Sequence, residues 1–117
     1  MIYSIEIRTS ISPSSAVELN TTSALANYAT KAGLQKYAEE LMSGACDGRA
    51  TPKMIRSTES TAWVDGNLAP GASVGVYCMQ LAVQRARDSG AALVAVKRTG
   101  HLGPGAWYTA QALESGM

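Results

Sequence analysis

The fold turns on residues 60–117, which read STAWVDGN (60–67), LAPGASVGVYCMQLAVQRARDSG (68–90), AALVAV (91–96) and KRTGHLGPGAWYTAQALESGM (97–117). STAWVDGN predicts a short strand that ends in an Asp65-Gly66 turn. Pro70 suits the first turn of a helix, because its fixed φ is already helical and its missing N–H costs nothing there. Val74, Tyr77, Cys78, Leu81 and Ala82 share one face of that helix, while Gln80, Gln84, Arg87 and Asp88 share the other. Gly90 follows as a C-cap glycine. The apolar run 91–96 comes directly after a helix, which predicts a strand buried on both faces. Pro104 then starts a last helix, with Trp107, Ala110 and Leu113 on one side and Gly116 as its stop.

Upstream the pattern is weaker. Residues 2–7, IYSIEI, predict an edge strand, which SISPSS breaks. Thr22 or Ser23 can cap a following helix. Leu25, Tyr28, Ala29 and Ala32 form one helical face, and Leu34, Tyr37, Ala38, Leu41 and Met42 form another. The phase slips at Gly33, which predicts two helices, or one kinked helix, ending at Gly44. CDGRATPK reads as a loop. The whole is an α/β chain: N-terminal helices, then a strand-helix-strand-loop-helix unit.

Composition bounds the function classes. The 117 residues are 46% hydrophobic and 16% charged, enough for one domain with a packed core. Ten basic and nine acidic residues give a net charge of +1, so no field of one sign draws in nucleic acid or an anionic membrane. No apolar run approaches the ~20 residues of a membrane span. The N-terminus lacks a basic segment followed by an apolar one, so it does not read as a secretory signal. Cys46 and Cys78 make neither a disulfide framework nor a zinc spacing and read as free thiols. These features predict a cytoplasmic protein with no metal, no nucleic-acid partner and no membrane contact.

His101 is the only histidine. It sits in a loop that leaves the end of a strand, where ligand sites of open α/β sheets collect. Gly100, Gly103 and Gly105 allow a tight turn and close approach of backbone to a ligand. They do not form a GxGxxG fingerprint, and there is no Walker lysine motif. Each feature also has a structural reading: a solvated histidine in a turn, core placement for Trp107 and Tyr108, a solvated Lys97-Arg98 pair, a turn role for Asp65, and core filling by Met42, Met54 and Met79. The GxxxG of Gly71 and Gly75, in a helix of soluble type, carries no information at this level.

Several segments in co-linear order resemble the malate/L-lactate dehydrogenase family, the non-Rossmann family that includes ureidoglycolate and sulfolactate dehydrogenases. They are Val64-Asp65-Gly66, CMQLAVQRARDSG, Val94-Ala95-Val96-Lys97, Thr99-Gly100-His101-Leu102-Gly103 and Ala106-Trp107-Tyr108-Thr109. The resemblance continues more weakly upstream through GLQKYAEELMSGACDGRATPKMIR. It implies NAD- or NADP-dependent interconversion of a 2-hydroxy acid and a 2-oxo acid. It also implies His101 as the catalytic imidazole and an approach to the cofactor along Leu102, Gly103, Pro104, Gly105 and Ala106.

Departures from the family pattern accompany it. An upstream D-S-H-G-x-x-R element, whose arginine grips the substrate carboxylate, is replaced here by Asn27-Tyr28-Ala29-Thr30, with Gly33 at the arginine position. Lys31 or Lys36 would supply at most a point charge in place of a planar fork. Family members also continue well past Met117. The resemblance therefore implies a fold incomplete relative to the family, with residues 1–22 as a divergent segment and residues 23–117 as part of an N-terminal region. It further implies an exposed apolar face and a possible homo-oligomer. Three readings follow: an oxidoreductase built around His101, a non-catalytic remnant that associates with itself or an intact subunit, and an unrelated interaction domain. The third is favoured if the helix after Pro70 and the strand 91–96 do not pack together.

Overall fold

The computed structural model describes residues 3–8 and 31–33 as backbone and residues 34–117 in full. The expected breaker SISPSS, the caps Thr22 and Ser23, the face of Leu25 to Ala29, and Asn27 to Thr30 all lie outside the described residues. In chain order the elements are β1 (Tyr3–Arg8), α1 (Lys31–Met42), β2 (Lys53–Ser57), β3 (Thr61–Asp65), α2 (Gly71–Ser89), β4 (Ala91–Lys97) and α3 (Gly105–Glu114). The α/β class read from the pattern is the fold observed.

The four described strands form one sheet in the order β1-β4-β3-β2. β3 and β4 are parallel, with Val64 opposite Val96, and α2 is the crossover between them. β1 joins β4 antiparallel and lies at one edge, as its weak alternation predicted. β2 is an addition to the sequence reading, which took Lys53 as the end of a loop. It pairs antiparallel with β3 and forms the other edge. All five of its side chains are exposed and its register slips between Met54 and Arg56, so no apolar alternation marks it.

α2 packs on β1, β3 and β4, and α3 packs on α2. The packing of α2 against β4 counts against the unrelated-domain reading. Val64, Val74, Val94, Val96 and Cys78 are the largest fully buried side chains. Pro70 is the N-cap of α2, one residue before the first turn, and Gly90 closes the helix in the left-handed region at φ 83° with its N–H on the Ala86 carbonyl. Gln80, Gln84, Arg87 and Asp88 face solvent as expected. The buried stripe is broader than the one read from the sequence. It includes Met79, Val83 and Ala86 and leaves Tyr77 and Leu81 half-buried, because α2 faces both the sheet and α3.

Four further expectations need correcting. β4 is buried on one face, not two: Ala92, Val94 and Val96 point into the core, while Ala91 and Leu93 are exposed. Six apolar residues in a row conceal that alternation, and among the described residues α2 covers one side of the sheet while α3 packs on α2. In α3 the buried residues are Tyr108 and Ala112, whereas Trp107 and Leu113 are exposed. Only Met79 of the three methionines fills the core; Met42 and Met54 are exposed. α1 runs through Gly33 and ends before Gly44, which has φ 76°, but Leu34 and Leu41 on its expected apolar face are exposed.

Candidate functional site

The parallel pair β3/β4 places two loops side by side at its C-terminal end. The Gly66 N–H donates to the Lys97 carbonyl at 2.8 Å and the Leu68 N–H donates to the Arg98 carbonyl at 2.9 Å. Glycine is required at 66: a Cβ there would lie 2.8 Å from the Arg98 carbonyl oxygen. Asp65 holds the turn, accepting the Asn67 N–H at 2.9 Å and pairing with the Arg98 guanidinium at 3.4 Å. Its turn role is thus as read from the sequence. Lys97 is not simply solvated; its ammonium stands 5.1 Å from the centre of the Trp63 ring.

His101 follows this junction. Its side chain is exposed, and its Nδ1 lies 3.4 Å from the Tyr37 hydroxyl. α1 therefore approaches the loop through polar side chains, with the Glu40 carboxylate beside Gly100. Tyr37 escaped the sequence reading because its spacing placed it on an apolar helix face; the aromatic carries a hydroxyl, and that hydroxyl was the available signal. Gly33 occupies the same helix one turn earlier.

The residues after His101 divide. Leu102 buries its side chain in the core. Gly103 takes φ 103°, and Pro104 is the N-cap of α3. Gly105 is exposed with open space where a Cβ would point. No acidic residue stands in the first turn of α3 and no side chain caps it, so an anionic ligand meets neither repulsion nor a competing cap there.

The two small residues of GxxxG shape the other side of the loop. A Cβ on Gly71 would overlap the His101 carbonyl, and a Cβ on Gly75 would overlap the Tyr108 phenol. The Tyr108 hydroxyl donates to the Leu102 carbonyl. Burial, with smaller contributions from Tyr37 and Cys78, pushes this phenol up to about 12. Gly71 and Gly75 are thus informative after all: they are the seats of the histidine loop. A separate groove between α2 and α3, lined by Met79, Val83, Trp107 and Gln111 among others, contains none of the loop residues. No group of three potential metal ligands occurs among the described residues.

A family model for malate/L-lactate dehydrogenase matches residues 31–117. The chain belongs to the malate/L-lactate dehydrogenase family. It is 36% identical to the malate dehydrogenase of Pyrococcus abyssi over 84 residues, which are 72% of this chain and 23% of that protein. It is 29% identical to the L-sulfolactate dehydrogenase of Methanocaldococcus jannaschii over 82 residues, 70% of this chain and 24% of that one. The crystal structure of malate dehydrogenase from Entamoeba histolytica superposes with a TM-score of 0.67 at 30% identity, covering 72% of this chain and 24% of the other. The sulfolactate dehydrogenase of Methanocaldococcus jannaschii superposes with a TM-score of 0.70 at 26% identity, covering 81% and 26%. The chain thus spans about a quarter of the length of these family members. No helix among the described residues is long and apolar enough to cross a membrane.

Proposed function

We propose that the chain acts in NAD- or NADP-dependent interconversion of a 2-hydroxy acid and its 2-oxo acid, with His101 as the proton-transfer group. The observation that supports this most is the exposed imidazole at the C-terminal end of a parallel strand, within a segment that matches the family throughout. In oxidation the substrate loses a hydride from carbon and a proton from its hydroxyl, and a carbonyl forms. Bound nicotinamide cofactor supplies the hydride acceptor, or the donor in reduction. The imidazole takes the hydroxyl proton and returns it in the reverse direction. Nδ1 faces the Tyr37 hydroxyl, which leaves Nε2 for the substrate.

The small residues Gly103 to Ala106 suit the cofactor side of the site, since open space at Gly105 and an acid-free helix start leave backbone N–H groups accessible. In the assay of choice, purified chain oxidises NADH or NADPH with a panel of 2-oxo acids that includes oxaloacetate. Turnover is expected, with a ~10²–10⁴-fold drop for His101→Ala. A folded chain without turnover, or a variant as active as the parent, overturns the assignment.

A further inference from the structure

We propose that Tyr108 is the positioning residue of the His101 loop, acting together with the seats left by Gly71 and Gly75. The proposal rests on reading His101 as the imidazole of the site. Tyr108 touches no reacting atom in it; its role is to fix where the imidazole stands.

Two consecutive carbonyls carry the inference. The His101 carbonyl sits against the first turn of α2, where only a residue without a Cβ leaves room. The next carbonyl, of Leu102, accepts the Tyr108 hydroxyl. The phenol reaches it because Gly75 lets the ring lie directly on the surface of α2. The Leu102 side chain is anchored in the same core. The backbone is therefore held on the α2 side, while the imidazole extends toward Tyr37 and solvent.

A phenylalanine at 108 would fill the same core volume, so packing alone does not call for the hydroxyl. A buried phenol needs an acceptor, and here the acceptor is the peptide beside the imidazole. With its proton held well above the neutral range, the phenol donates throughout the working range of a dehydrogenase. Mobile or displaced by an ångström, the imidazole would lose the alignment that proton transfer needs.

Because His101 is the only histidine, its ring signals in NMR spectra of the full chain need no assignment. Tyr108→Phe is expected to shift and broaden the His101 ring signal and to move the Leu102 carbonyl resonance. It should lower kcat about tenfold, the loss of one hydrogen bond's worth of positioning, with a smaller change in KM. Leu113→Ala, on the exposed side of the same helix, should leave the His101 signal in place. A folded Tyr108→Phe with unchanged His101 and Leu102 signals overturns the proposal.

Should that variant not fold, the wild-type chain decides: a donated phenol exchanges its hydroxyl proton slowly enough to split the Tyr108 Cζ signal in mixed H2O/D2O. A Tyr108 proton that exchanges too fast to split that signal overturns the positioning role. A wild-type chain with no turnover but with the expected NMR changes removes the dehydrogenase reading and leaves the positioning intact. Turnover with unchanged NMR signals does the reverse.

Discussion

Val94 and Leu93 are neighbours in β4 and differ by one methylene, yet Val94 is fully buried and Leu93 is 40% exposed. Val94 points toward α2, whose Cys78, Ala82 and Ala86 belong to the same core. Leu93 points to the other face of the sheet, beside Thr61 in the register of β3 and in line with Trp63 and Lys97. One side of this sheet is a finished protein interior, and the other is left without a covering layer among the described residues.

Substitutions on the two faces test whether the sheet is closed on one side only. Val94→Ala should cost the most, roughly 2–3 kcal/mol in urea unfolding, through lost burial and the cavity left under α2. A cost below about 1 kcal/mol would mean that the closed face is not a packed core.

The next effect is alkaline. Burial pushes the Cys78 thiol up to about 11 in the folded chain. The folded state therefore keeps a proton that the unfolded chain releases. Stability on this account is complete below the ordinary thiol value near 9, falls as pH rises from about 9 to 11, and changes no further above that. Tyr108 adds the same sign between about 10 and 12. Thermal melts across pH 8–11 should show the decline, and Cys78→Ala should flatten it. A profile equally steep in the variant would assign the loss to other groups.

The smallest effect belongs to Leu93→Ala, expected to stay within ~0.5 kcal/mol of the parent chain. A cost that approaches that of Val94→Ala, and grows with protein concentration, would show that a second copy covers the open face in solution.

The sequence carried more of the architecture than of the site. The order strand, helix, strand, loop, helix was legible in residues 60–117 because prolines, C-terminal glycines and a sharply two-faced helix mark the boundaries. β2 was not legible, since an edge strand with every side chain exposed has no reason to alternate. The phase of α3 was misread for a related reason. Trp107 and Leu113 are apolar enough to suggest a core face, but the smaller Ala112 and the hydroxyl-bearing Tyr108 are the ones that meet α2. At the candidate site, His101 stood out as a lone imidazole among glycines, whereas Tyr37, 64 positions away, could not be joined to it by any local pattern.

The α/β class, the strand-helix-strand order, the family and the imidazole at a strand end were all legible in the chain alone, because each is encoded in short-range periodicity or in co-linear motifs. Only the tertiary structure decided which face of β4 is closed, and that two glycines of α2 seat the histidine loop. It alone showed that a buried phenol holds the peptide next to the imidazole. Those facts depend on what lies across a few ångströms of space between elements distant in the chain, and steric fit of that kind leaves no period in the sequence.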